Sequence, residues 1–275
     1  MNEMNKLTKT IVYVVITIIC ILTLLPLIWM LSASLKLDKD VFSIPIQWIP
    51  QNPQWKNYIT IWTKIPFGLF VMNTTKLTVI ITLIQLFTSS FAAYGFSKCE
   101  FKGRNVLFLF YIATIAIPWQ VYMLPQYTMM NKFGLIDTHT SIILLQSFTA
   151  FGVFLIRQFY LSIPNELLEA GRIDGMSEYG IYFRIILPLS KPALSTLTIF
   201  SFVGVWNDFM GPMIYFNSES NKTIQLGIRM FISQYSADYG LIMAASVVSL
   251  IPVFIIFIAF QRFFVEGVAS SGLKG

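Results

Sequence analysis

The stretch Ser162–Pro192, SIPNELLEAGRIDGMSEYGIYFRIILPLSKP, is the most polar long segment lying between hydrophobic runs. Its punctuation predicts a short helix rather than a linker. Pro164 suits the first turn, where a missing N–H costs nothing. Glu166 and Glu169 fall in the opening turns, where the helix dipole favours acids. Gly175 is placed to take the left-handed conformation that stops a helix. The helix expected near 164–175 is then about 15 Å long, too short and too polar to cross a bilayer. Leu167, Ala170, Gly171 and Asp174 are expected to share one face, with small residues at 170 and 171 admitting another protein closely.

Composition puts the rest of the chain in a membrane. Hydrophobic residues make up 56% of the 275, charged residues 12%, and mean hydropathy is +0.69. That is about half the charge of a soluble domain, too little to cover a water-facing surface. The net charge of +6 does not indicate nucleic acid, because the basic residues are scattered among loops. Cys20 and Cys99 suggest neither a disulfide nor a metal pair, and His139 has no ligating companion. Nothing matches G-x-x-x-x-G-K-[ST], so the chain is expected not to hydrolyse ATP itself.

Six apolar runs approach the roughly twenty residues a bilayer needs: approximately 11–33, 70–96, 106–126, 140–158, 193–216 and 240–263. The first is too long for the core of a cleaved signal peptide and reads as an anchor, although Ser32-Ala33-Ser34 resembles a cleavage site. With a cytoplasmic N-terminus, the inside segments carry eleven basic residues against seven outside. That bias, sharpest at Lys98, Lys102 and Arg104, puts both termini and residues 162–192 in the cytoplasm. The division expected is 1–69 (anchor and first outer loop), 70–265 (the core of the remaining spans, with the short helix near 164–175) and 266–275 (tail).

Within the spans, Pro118 and Pro125 flank Trp119 and Gln120 and predict a kink, shaping either packing or a pore. Trp206, Asn207 and Asp208 interrupt the fifth run. An acid there faces a bundle interior or a water-filled cavity, or bonds a neighbouring helix; both readings stand. Trp206 offers a stacking face for a sugar, and Asn207 and Asp208 offer hydrogen bonds. Asn73-Thr74-Thr75 and Asn221-Lys222-Thr223 match the glycosylation sequon, a weak motif.

The 162–192 stretch resembles the EAA loop of ABC-importer permeases, whose pattern is E-A-A, three residues, G, nine residues, then I-x-L-P. Here Glu169, Ala170 and Gly171 stand for E-A-A, followed in register by Gly175, Ile185, Leu187 and Pro188. Gly171 departs from the pattern. The runs AAYGFSKCEFKGRN, SFVGVWNDF, MAASVVSLIPVFIIF, QRFFVEG and the ending SSGLKG resemble the smaller, maltose-type permease of carbohydrate ABC importers. The resemblance implies an all-α, six-helix, type I importer permease of a bacterial inner membrane, with no catalytic role. Its partners would be a second, different permease, two ATPase subunits holding ATP and Mg, an external sugar-binding protein, the sugar and lipid. This chain would hold no cofactor.

The same resemblance makes Glu166, Glu169, Ala170, Gly171, Asp174, Gly175, Ile185, Leu187 and Pro188 the ATPase-coupling set. It assigns Ser270, Ser271, Gly272, Lys274 and Gly275 to a tail against the ATPases, and the loop 217–239 to the binding protein. In the maltose transporter the sugar contacts belong to the partner permease. An ion-coupled carrier would need a coupling-ion site and often internal repeats, and a channel a filter loop; neither is visible. A permease for a non-sugar solute stays open.

Overall fold

A computed structural model describes residues 6–232 and 237–272, with side chains described through residue 263. The helices are α1 (Lys6–Ser34), α2 (Asp38–Val41), α3 (Lys56–Lys64), α4 (Phe67–Lys98), α5 (Arg104–Ala113), α6 (Trp119–Lys132), α7 (His139–Gln146) and α8 (Ala150–Leu161). They continue with α9 (Glu166–Ile173), α10 (Glu178–Ile181), α11 (Leu187–Leu189), α12 (Lys191–Trp206), α13 (Met210–Tyr215), α14 (Ile224–Arg229) and α15 (Tyr239–Gly272). By length and apolarity α1, α4, His139–Leu161 and the stretch Tyr239–Phe263 of α15 can each cross a membrane. Two bent pairs raise the number to six.

Those pairs bend the third span, where Pro118 predicts a kink, and the entry to the fifth. At the third, α5 gives way to a 3-10 turn, and the chain bends by 97° into α6 around Pro118. Pro118 has no N–H to continue the ladder and biases Ile117 away from helical backbone; Ile117 is extended (φ −86°, ψ 111°). At the fifth, Glu178–Leu189 meets α12 at 76°, after a π-helical turn at Tyr182–Ile186 that absorbs the register change before Pro188. Helix α12 then stops at Trp206, and α13 restarts at Met210.

Contacts divide the chain into two units. The first takes the described part of Met1–Gly68 with Gly227–Ile251. There Asn57 Nδ2 donates to the carbonyls of Ser34 (2.9 Å) and Lys36 (3.1 Å), capping the C-terminal end of α1. Lys64 pairs with Asp238, and Gly240 N–H donates to Asp38 (2.9 Å). Most of α1 is exposed on all sides, as an apolar helix surrounded by lipid or partner helices would be.

The second unit takes Leu69–Leu226 with the described residues after Ile251. One core cluster joins α4, α8, α9 and α12 through Ala93, Ile156, Leu168, Ile181, Ile186 and Leu197. Inside it the Ser90 hydroxyl bonds those of Tyr160 (2.7 Å) and Tyr182 (2.8 Å), so the buried phenols stay satisfied. A second cluster, with Leu77, Ile81, Met130, Ile142, Val205 and Tyr215, packs α4 against α6, α7, α12 and α13. Where the fourth span breaks between α7 and α8, Gln85 Nε2 donates to Gln146 O (2.6 Å) and Thr88 Oγ1 to Ser147 O (3.0 Å). Those side chains satisfy the carbonyls that the break frees.

Candidate functional site

Helix α9 ends as the sequence predicts. Gly175 has φ +78°; its N–H donates to Arg172 O (3.0 Å) and Met176 N–H to Gly171 O (2.9 Å). The two bonds form a Schellman close, which needs left-handed backbone at Gly175. At the other end Asn165 O accepts from Leu168 and Glu169 N–H. Lys98 Nζ, at the end of α4, donates to Ile163 O (2.7 Å) and Asn165 Oδ1 (2.8 Å). Past the turn, Arg172 Nε bonds Glu178 Oε1 (2.8 Å), and Tyr94 Oη donates to Glu178 Oε2 (2.6 Å). Helix α9 is thus tied at both ends to α4.

The expected face needs one correction. Gly171 is buried beside Leu168, under Ile181 and Ile185, so it is not available to a partner. The outward face carries Glu166, Leu167, Glu169, Ala170, Ile173 and Asp174, with Ile173 86% exposed. Ile185 and Leu187 pack against the inner cluster while Pro188 stays exposed.

A cavity of about 550 Å³ opens within the second unit. Trp119 and Asp208 line it together with Gln85, Tyr122, Gln126, Gln146 and Phe200. Asp208 accepts from Gly211 N–H (3.1 Å) and Gln146 Nε2 (2.7 Å). It therefore serves both readings left open above, bonding a neighbouring helix while facing the cavity. Trp119 Nε1 donates to Gln126 Oε1 (3.0 Å). Gln120, Trp206 and Asn207 are not among the lining residues. Trp206 is 1% exposed and stacks on Phe202 at 5.6 Å, and the Asn207 amide oxygen accepts from Gln225 (3.2 Å). The sugar-stacking reading of Trp206 is corrected accordingly. Gln85, Gln126 and Gln146 were missed in sequence, although an amide in an apolar run carries the same signal as Asp208 at lower cost.

Between α6 and α7, Asp137 in left-handed backbone (φ 60°) accepts from the N–H groups of Asn217 and Ser218 on the loop after α13 (2.9 Å each) and from the Ser218 hydroxyl. Those bonds, led by the Ser218 hydroxyl, hold its carboxyl well below the usual carboxylate range. Asn73 Nδ2 donates to Ser220 O (2.8 Å) and Lys222 O (2.9 Å), and Asn221 Nδ2 to Asp137 O (2.6 Å). Both sequon asparagines are therefore spent inside the fold. Ser270, Ser271 and Gly272 fall on the helical end of α15, their side chains outside the described residues; Lys274 and Gly275 lie wholly outside them.

The profile of the family described as "Binding-protein-dependent transport system inner membrane component" matches residues 85–270. The arabinooligosaccharides transport system permease protein AraQ of Halalkalibacterium halodurans is 33% identical over 253 residues, covering 91% of each chain. The sn-glycerol-3-phosphate transport system permease protein UgpE of Yersinia pestis is 33% identical over 249 residues, covering 88% of each. A crystal structure of a bacterial ABC transporter involved in importing the acidic polysaccharide alginate contains a chain that superimposes with a TM-score of 0.82. That chain is 24% identical, and the match covers 94% of this chain and 97% of that one. The match through residues 85–270 takes in α9, its glycine turn and Asp208, and the protein belongs to the family of binding-protein-dependent transport system inner membrane components.

Proposed function

We propose that this chain is one transmembrane subunit of an ATP-driven importer in a bacterial cytoplasmic membrane, moving a saccharide delivered by an external binding protein. The observation that carries the reading is the outward face of α9. An 86% exposed isoleucine, flanked by Glu166, Glu169 and Asp174, sits on a helix too short to span and held rigidly to α4. Outside lipid such a face calls for a protein cover, and a cleft on a cytoplasmic ATPase subunit suits its mix of acids and apolar groups. Separate ATPase subunits bind ATP and Mg and perform the hydrolysis.

Lys98, Arg104, Arg157, Arg172 and Arg184 surround that end of the unit, which supports a cytoplasmic orientation by the positive-inside rule. The clamped loop from Asn217 then faces outside, toward the binding protein. On the same reading Ser270–Gly275 form the tail that contacts the ATPase pair. A second, different permease closes the cavity from its open side. The saccharide substrate is supported by relatives named for arabinooligosaccharide and diacetylchitobiose transport.

Reconstitution in proteoliposomes with the co-purified subunits tests this. ATP inside the ATPase-facing compartment should drive solute uptake that depends on the binding protein. Uptake driven by an ion gradient without ATP would overturn it.

A further inference from the structure

We infer that the wall this chain contributes to the cavity selects uncharged, polyhydroxylated solutes and disfavours phosphorylated or carboxylated ones. The inference rests on the importer reading and deepens it. The volume, about 550 Å³, lies in the range of small-molecule sites. Among the described residues its lining holds one carboxylate, Asp208, and no Lys, Arg or His. An anion entering would shed water and meet a negative group with no cation to offset the loss.

The Gly211 backbone does not fill that role. The N–H of Gly211, near the start of α13, already donates to Asp208 Oδ1 (3.1 Å). What the wall does offer is amide and ring chemistry. Gln146 spends one amide hydrogen on Asp208 (2.7 Å) and Gln85 one on Gln146 O (2.6 Å). Each amide retains an oxygen and a second hydrogen, the paired acceptor and donor that hydroxyls match. Trp119, Tyr122 and Phe200 line the same space and supply aromatic surface of the kind that packs on the C–H side of a sugar ring.

The test places a single cysteine by Gly204→Cys in the full complex, with Cys20 and Cys99 replaced by alanine. Gly204 lines the cavity, and a Cβ there meets nothing within 4 Å. Cationic and anionic methanethiosulfonates of equal size are then compared. Relative to each reagent's rate with a small thiol in solution, the cation should react about fivefold faster or more, as one nearby charge implies, and Asp208→Asn should bring that normalised ratio close to unity. An asparagine keeps an acceptor for Gly211 N–H, and Gln146 can turn its amide oxygen to the new NH₂. If that variant does not assemble, the ratio in the Asp208 protein still decides. Equal rates there, or a preference for the anion, would overturn the inference.

A second arm separates this inference from the importer reading. The solute released by heat from the co-purified binding protein is identified by mass spectrometry and offered for uptake. ATP-driven uptake of an uncharged saccharide supports both. ATP-driven uptake of a phosphorylated or carboxylated solute overturns this inference and keeps the importer. Uptake without ATP overturns the importer and this inference with it.

Discussion

A Cβ on Gly171 would lie 3.0 Å from Ile185 Cδ1 and 3.2 Å from Ile181 Cγ1. The glycine of the E-A-A pattern and the isoleucine of the I-x-L-P tail are therefore packing partners across the turn at Gly175. The crowding atoms belong to mobile side chains, so alanine fits after a shift of a few tenths of an ångström. Gly171→Ala should be close to neutral, its helix-propensity gain of about 1 kcal/mol offset by the tighter contact. Gly171→Leu should lift α9 off the inner cluster, a cost of about 1–3 kcal/mol for overpacking. Thermal melting of the detergent-solubilised complex and ATP-coupled uptake should both fall for leucine and hold for alanine. Equal behaviour of the two variants would contradict the packing.

Gly175 is the second determinant of that turn. At φ +78° a side chain costs about 1 kcal/mol, and Gly175→Pro also removes the N–H that bonds Arg172 O. The variant should insert in the membrane at normal levels yet hydrolyse ATP without matching solute uptake. Solute moved per ATP hydrolysed is the measurement, and an unchanged ratio would mean that the turn does not position α9 for docking.

Tyr94 and Glu178 are joined at 2.6 Å, and Glu178 also holds Arg172. Since Glu178 is partly exposed, the interaction is worth about 1 kcal/mol or less after screening by solvent. Tyr94→Phe and Glu178→Gln should each lower coupling modestly, and the double variant should be no worse than Glu178→Gln alone. Fully additive losses would show that the pair does not act as a unit.

The parts of this arrangement that sequence revealed are those with local punctuation. Pro164 and Gly175 bracket α9 because proline and glycine act on their own backbone, and Asp208 stood out because an acid is rare in an apolar run. What escaped depends on distant partners. Three- and four-residue spacing groups Leu167, Ala170, Gly171 and Asp174, yet the side that Ile181 and Ile185 cover is decided by chain past the turn. Pro118 predicted a kink, whereas a 97° turn also needs the 3-10 segment before it. Gln85 and Gln146 lie 61 positions apart, and nothing in either neighbourhood announces that the broken fourth span joins them. Trp206 looked like a binding residue because its orientation, toward Phe202, is set by helix packing.

The Asp137 clamp yields a pH prediction. Its carboxyl is held below the ordinary value in the folded state, chiefly by the Ser218 hydroxyl. Stabilisation is therefore fully present above the unfolded carboxylate value, about 4, and is lost as pH falls through the lower folded value. The loop after Asn217 should stay ordered from neutral pH to about 4 and loosen only in stronger acid. Hydrogen exchange at the Asn217 and Ser218 amides measures this. Asp137→Ala should speed exchange there at any pH above about 4, and loss of protection in Asp137 protein between pH 6 and 5, roughly, would contradict the assignment.

Asn73 gives the sharpest test of how that loop is anchored. It is 6% exposed, and its amide nitrogen donates to two carbonyls, Ser220 O and Lys222 O. Next to it, the Thr74 hydroxyl accepts from Ile224 N–H (2.8 Å). Asn73→Asp keeps the size but removes both donations and sets a carboxylate against two carbonyl oxygens, costing about 3 kcal/mol or more for an unpaired buried charge. Asn73→Leu loses the same bonds without the charge, so it should be the milder change. The loop following α13 should become sensitive to protease in both variants, more strongly in the aspartate, while α9 keeps its resistance because its ties run to Lys98 and Tyr94 instead. A glycan on Asn73 Nδ2 would break the same bonds, so forced glycosylation in a eukaryotic host should leave this site unmodified in folded protein. Modification without loop exposure would show that the two carbonyls do not depend on Asn73.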